Sequence, residues 1–325
     1  MSPAVETRRQ SVPNRITVVG NVNLDVVVAG VAALPPPGTE QIVPSIAVRP
    51  GGSAANTAVT LAHLGRETVL VGRVGEDGTA RLLDAELDLP HLHTHLVRAA
   101  GESTSVTVAA EAPGHDRAFL SALGALAGMD ATAVPEDVLA SRFLLLSGYF
   151  LLPVLRDERA KALFSAARRA GARTALDTGW DPGDWTAATR AEVLDLLETV
   201  DVFLPNTDEI VALADRPDVS SAARFVAERS GSTVVVKCGP QGALVVSPDG
   251  SAEQCPTPQV TVQDSTGAGD AFNAGLLHRL AEGASPAEAA DYGVRVAATV
   301  ISRPSHDRRF APADVLPARR DGVSA

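Results

Sequence analysis

The sequence predicts an α/β fold in which a central, mostly parallel sheet is flanked by helices, with a small β-sheet beside it. Three observations carry this. Short apolar strands alternate with helical patterns, two β-rich segments break that alternation, and polar glycine-rich turns follow several of the strands. Parallel neighbours need a long crossover, usually a helix, so the alternation itself implies parallel pairing. Ligands of such sheets gather at the carboxyl ends of the strands.

The strand runs, in order, are Ile16–Val19, Thr68–Val71, Phe143–Leu146, Thr174–Leu176, Val202–Leu204 and Val234–Val236, each short and mostly apolar, as strands buried on both faces are. Helices are expected over Ser53–Leu64, capped by Ser53 and stopped by Gly65, and over Ala160–Ala170, stopped by Gly171. Arg216-Pro217-Asp218 reads as a break between two short helices, because proline disfavours helix in the residue before it. The segments that break the rhythm are about 27–48, interrupted by Pro35-Pro36-Pro37-Gly38, and about 92–120, with Thr104–Val108 and a turn at Pro113-Gly114. Both are expected in the small sheet, a lid able to cover a site and exclude water. One domain is expected over 15–316, with flexible tails at 1–14 and 317–325.

Composition narrows the function. At 325 residues the chain can bury a large core, and 45% hydrophobic with 4% aromatic residues suits an Ala-, Val- and Leu-rich enzyme. A net charge of −11 argues against nucleic-acid or acidic-membrane partners. Lys161 and Lys237, the two lysines, lie outside any Gly-x-x-x-x-Gly-Lys-Ser/Thr sequence, which excludes a P-loop. Cys238 and Cys255 form no metal-type pair and suit a reducing compartment. The residues before Asn14 lack the apolar core of a signal peptide, and the run Phe143–Leu152 is too short to cross a bilayer, so the expected location is the cytoplasm.

The chemistry centres on Asp264-Ser265-Thr266-Gly267-Ala268-Gly269-Asp270, which leads into a helical pattern. Glycines let the backbone approach a ligand, and a helix start presents unpaired N–H groups and a positive dipole end to an anion. Asp270, in the first turn, is placed to accept a proton from a hydroxyl attacking a phosphoryl group. Beside that dipole it is expected to stay ionised at neutral pH. The same residue types also serve as plain helix caps. Asn23 and Asp25 follow the first strand two residues apart, on one side of an extended chain, and could grip a polyol. Gly51, Gly52 and Asn56 form a second glycine turn into a helix, suited to hydrogen-bonding sugar hydroxyls or to an ordinary strand-to-helix turn.

Through Gly20–Asp25, Gly51–Asn56 and Asp264–Asn273 the chain resembles the ribokinase, or PfkB, family of carbohydrate kinases, over nearly its whole length. Asn206-Thr207-Asp208-Glu209 is similar to the family's Asn-x-x-Glu element, and Lys237-Cys238-Gly239-Pro240-Gln241-Gly242 to its nucleotide-side loop. The resemblance implies a ribokinase-like fold and transfer of the ATP γ-phosphoryl group to a primary hydroxyl of a small neutral sugar, or alternatively of a nucleoside. It makes Asp270 the general base and gives the amides of Gly267, Ala268 and Gly269 the phosphoryl charge. Asn23, Asp25, Gly51, Gly52 and Asn56 would hold the acceptor. Asn206, Lys237, Gly239 and Gly242, with Gly267 and Gly269, would face ATP, and Glu209 would organise Mg²⁺ through water. A helix start explains Asn206–Glu209 equally well, and a hairpin turn explains Gly239 and Gly242. Asp264 and Thr266 could hold part of a K⁺ site, and the lid strands could pair two subunits.

Two departures bear on the acceptor. Ser147-Gly148-Tyr149-Phe150 lacks the carboxylate of ribose-taking members, and Asp177-Thr178-Gly179-Trp180-Asp181 lacks the arginine of members taking acidic sugars. Tyr149, Phe150 and Trp180 could stack on a ligand or belong to the core. His91, His93 and His95 share one face if extended, but a solvated lid-edge strand explains them better than a metal site, since no carboxylate partner is evident.

Overall fold

The computed structural model describes residues 12–31, 33, 35–111, 118–304 and 308–317. Residues 1–11 and 318–325 of the expected tails and the turn at Pro113-Gly114 lie outside them. The strands are β1 (Ile16–Gly20), β2 (Asn23–Ala29), β3 (Ile46–Gly51), β4 (Thr68–Gly75), β5 (Leu92–Ala99), β6 (Val106–Glu111), β7 (Ala118–Ala122), β8 (Phe143–Ser147), β9 (Arg173–Asp177), β10 (Val202–Phe203), β11 (Thr233–Lys237), β12 (Ala243–Val246) and β13 (Ala252–Cys255). The helices are α1 (Ser53–His63), α2 (Gly78–Glu86), α3 (Glu136–Leu139), α4 (Glu158–Arg169), α5 (Ala187–Leu196), α6 (Thr207–Ala214), α7 (Val219–Ser230), α8 (Ala268–Ala281) and α9 (Pro286–Ile301).

A nine-stranded sheet runs β13-β12-β11-β10-β9-β8-β1-β4-β5, parallel from β11 to β5 and closed at one end by the antiparallel β12–β13 hairpin. Alternate strand residues face opposite layers, as the pleat requires. Val19, Leu146, Leu176 and Val236 pack with α4 to α7, while Ile16, Val18, Leu145 and Val235 pack with α1, α2, α8 and α9. The strand order turns back between β1 and β8, the place where such folds open a crevice. Register sets Gly20, Ser147 and Asp177 level at the carboxyl ends of β1, β8 and β9.

The small sheet runs β3-β2-β6-β7. Its boundaries correct the expected lid: Leu92–Ala99 pairs in parallel with β4 as an edge strand of the large sheet, so only the later part of 92–120 belongs to the small one. As an edge strand with His93 and His95 exposed, β5 lacks the apolar run of the inner strands, so its sequence resembles that of the lid. Helix α1 is also capped differently. Gly52 (φ 94°) holds the N-cap position, and the Ser53 hydroxyl donates to Asn21 Oδ1 at 2.7 Å. The break at Pro217 separates α6 from α7 as expected, and α4 ends before Gly171.

Candidate active site

The parallel strands deliver Gly20, Ser147, Asp177, Asn206 and Lys237 to one end of the sheet, against the amino end of α8. There Gly267 takes φ 71°, a left-handed turn that suits glycine, and Asp270 stands in the first helical turn. Asn56, one turn into α1, donates through Nδ2 to Asp270 Oδ2 at 2.8 Å. Two turns 214 residues apart thus meet on one carboxylate. Burial, then the nearby Asp177 carboxylate, push the Asp270 carboxyl up to about 7, while Asn56 and Lys237 restrain the rise. The expected plainly ionised aspartate is therefore corrected: desolvation outweighs the helix dipole.

The expected row of three amides is also revised. Ala268 N donates to Ser265 O at 3.2 Å and so closes the turn. The helical ladder starts with Ala271 N donating to Gly267 O at 2.9 Å. The amides of Gly269 and Asp270 precede that first bond and have no carbonyl a turn behind them to meet.

Lys237 is the cation at the centre of the cluster. Its Nζ donates to Asp177 Oδ2 at 3.0 Å, and the neighbouring charges of Asp177, Glu209 and Asp270 hold its pKa up against the burial that would lower it. Asn273, on α8, also donates to Asp177 Oδ2. Glu209 is bound into a capping box: Asn206 N donates to Oε2 at 2.8 Å, Asn206 Nδ2 to Oε1 at 2.9 Å, and Glu209 N to Asn206 Oδ1 at 2.8 Å. Burial raises the Glu209 carboxyl to about 7, with Lys237 opposing. With both oxygens already accepting bonds, Glu209 fits contact with a metal through water and not direct ligation.

On the other side, Asn23 Nδ2 donates to Asp25 Oδ1 at 2.6 Å. Burial raises the Asp25 carboxyl, with Arg49 and Asn23 opposing. Gly51 and Gly52 are glycine for packing reasons: a Cβ on the first would lie 2.1 Å from the Asp25 carboxyl, and on the second 2.3 Å from Asn21 O. Gly239 (φ 53°) and Gly242 (φ 88°) bound the turn between β11 and β12, and a Cβ on Gly242 would lie 1.9 Å from Cys255 O. The Gly242 crowding is thus with the protein's own β13.

Asp264 and Thr266 do not fit a potassium site. Thr266 N and Oγ1 donate to Asp264 Oδ1 at 2.9 and 2.8 Å, and Arg49 donates to Oδ2 at 3.0 Å. The Arg308 guanidinium pairs with the same carboxylate and donates to the carbonyls of Asp264, at 3.2 Å, and Thr266.

A family model described as pfkB family carbohydrate kinase matches residues 13–312. The chain belongs to the PfkB family of carbohydrate kinases. An ATP-dependent 6-phosphofructokinase isozyme 2 of Escherichia coli (strain K12) is 30% identical over 268 residues, 75% of this chain and 79% of its own. A cytidine kinase of Thermococcus kodakarensis is 26% identical over 300 residues, covering 89% and 96%. The structure of Arabidopsis thaliana ribokinase complexed with ribose and ATP aligns with a TM-score of 0.78 at 26% identity, covering 93% of this chain and 97% of that one. PfkB membership makes this protein a sugar or nucleoside kinase and leaves the acceptor to its own site.

Sequence patterns missed Asp177, Asn273, Asn21 and Arg308. Each acts through partners distant in sequence, such as Lys237 and Asn273, 60 and 96 residues from Asp177. The remaining candidates resolve individually. Tyr149 and Phe150 are buried, with the Tyr149 hydroxyl on Glu192, so they are core. Trp180 is 50% exposed beyond β9. The histidine face does have a carboxylate partner, Glu67, which meets His91 at 2.6 Å and His93 at 3.2 Å. Among the described residues no group of three or more His, Cys, Asp or Glu could hold a metal, and no helix is long and apolar enough to cross a membrane.

Proposed function

We propose that this protein is an ATP-dependent, Mg²⁺-requiring kinase that transfers the γ-phosphoryl group to a primary hydroxyl of a small neutral sugar. The observation that carries the reading is Asp270, held by Asn56 at 2.8 Å beside the glycine turn and Lys237. Asn23, Asp25 and Asn56 supply amide donors and carboxylate acceptors for sugar hydroxyls. Ionised Asp270 takes the proton of the attacking hydroxyl, and a carboxyl near 7 is better matched to that work at neutral pH than an ordinary aspartate. The amides of Gly267 and Gly269 stabilise charge on the transferring group. Phosphoryl transfer passes through a loose transition state, so this positioning and charge stabilisation supply most of the acceleration.

Asn206 and Lys237 face the nucleotide phosphates in this reading, with Gly239 and Gly242 shaping the loop behind them. Glu209 and Asp177 would hold Mg²⁺ through its waters, and that ion, when bound, neutralises phosphate charge. The small sheet closes over the acceptor to exclude water. Exposed Ile46, Val48, Phe119 and Leu120 on that sheet support a dimer joined through it. The absence of a described membrane-spanning helix accords with a cytoplasmic enzyme.

A second reading, a nucleoside kinase, is favoured by Trp180, whose exposed ring at the end of β9 could stack on a base. ADP release with MgATP, measured across neutral sugars and nucleosides, separates the two. Turnover with free sugars is expected, and activity confined to nucleosides would overturn the first reading.

A further inference from the structure

We propose that Arg308 does, from within the chain, the work of a monovalent cation behind the phosphoryl-binding turn, so that this kinase needs no potassium. The inference rests on the reading of 264–270 as the phosphoryl-transfer loop. Three oxygens converge on the Arg308 guanidinium: the carbonyls of Asp264 and Thr266 and the carboxylate Oδ2 of Asp264. Two carbonyls and a carboxylate are the hard oxygen donors an inorganic cation would take. A guanidinium offers them one positive charge and a fixed fork of N–H donors that no point charge can match. Arg49 lies against the same carboxylate oxygen at 3.0 Å. A potassium ion placed there would meet two guanidinium charges at contact distance, and like charges so close oppose binding.

The contact has a direct route to the chemistry. Thr266 C=O and Gly267 N–H belong to one peptide unit, and in a trans peptide they point in opposite directions. Drawing the carbonyl toward Arg308 therefore turns the Gly267 amide away from it, and the positive charge polarises that amide as a donor. Arg308 also abuts the turn itself, with Nη1 3.5 Å from where a Cβ on Gly267 would stand. It is thus a positioning residue. A cavity of about 210 Å³ lined in part by Arg49, Asn56, His63, Thr266, Gly267 and Arg308 adjoins the same turn.

The test uses the full-length protein, Arg308→Ala and Arg308→Lys, in sodium, potassium and millimolar guanidinium buffers. Wild-type turnover is expected to be equal in sodium and potassium. In sodium, Arg308→Ala is expected to lose on the order of 10–100-fold in kcat, as when a transition-state donor is misplaced. Potassium or guanidinium should restore much of that loss, and Arg308→Lys should retain more activity than Arg308→Ala. The melting-temperature increase given by MgATP, followed with the same proteins and cations, reads the loop without any acceptor. It should be cation-independent in the wild type and cation-dependent in Arg308→Ala. If no acceptor is phosphorylated while this binding pattern holds, the kinase reading fails and the cation assignment stands. Strong potassium activation of the wild type, full sodium activity of Arg308→Ala, or a folded Arg308→Ala that no cation restores would overturn the proposal. Should Arg308→Ala not fold, Arg308→Lys decides: potassium-independent retention of activity supports the assignment, and activity as low as background contradicts it.

Discussion

The turns that open α1 and α8 are both rich in glycine, yet the space around them differs. At α1 a Cβ would lie 2.1 Å from the Asp25 carboxyl at Gly51 and 2.3 Å from the Asn21 carbonyl at Gly52. At α8 a Cβ on Gly269 would meet nothing nearer than Lys237 Cδ at 3.5 Å, an ordinary contact. The first turn needs glycine because the protein itself fills the space. In the second, Gly267 needs glycine for its φ of 71°, but position 269 would accommodate alanine as far as the protein is concerned, so glycine there points to approach by a ligand. Under the proposed reading, the acceptor-side turn is built by packing, whereas the phosphoryl-side turn leaves room at Gly269 for a ligand.

The largest effect expected along this line is at Asp270. Asp270→Asn keeps the shape and removes the proposed base, so kcat should fall by about 10²–10⁴. Calorimetric affinities for MgATP and acceptor should change little. Near-normal turnover would remove Asp270 from the mechanism.

The glycines give the next contrast. Gly269→Ala should melt with the wild type yet lose catalytic efficiency by roughly tenfold or more, since in the proposed site it intrudes where phosphoryl oxygens would approach the amides. Gly52→Ala carries a backbone clash and a φ of 94°, so it should lower the melting temperature first. A Gly269→Ala enzyme with full activity would erase the distinction between the turns.

The smallest effect is on stability. The Asp270 carboxyl is raised, so the folded state binds its proton more tightly than the unfolded chain does. Its contribution is most favourable below the unfolded value near 3.8 and is lost as pH rises through about 7. Asp270→Asn should therefore melt higher than wild type above neutrality, with the gap closing toward acid pH. Thermal unfolding across that range checks the sign, and a gap that widens toward acid would refute it.

Much of this architecture was legible because buried parallel strands are written as short apolar runs, such as Ile16–Val19 and Phe143–Leu146, with helix-length spacers between them. The hairpin of β12 and β13 was not, because Ala252–Cys255 is short and mostly exposed. Asn23, Asp25, Asn56 and Asp270 stood out because each adjoins a strand end or a glycine turn. The ionisation of Asp270 did not, since it depends on Asp177 and on burial, which no local pattern reports. Arg308 lies in a polar stretch after Pro304 that carries no charge or glycine pattern pointing to a site, and only the folded chain brings it to Asp264, 44 residues away.

The central claim is that Asp270 must be ionised to take the acceptor proton, and the pH dependence of wild-type kcat tests it most directly. With saturating MgATP and sugar, the rate should be constant above about pH 8 and fall roughly tenfold per unit well below an apparent pKa of about 7. A rate unchanged down to about pH 5, where a carboxyl at 7 would be almost wholly protonated, would contradict it.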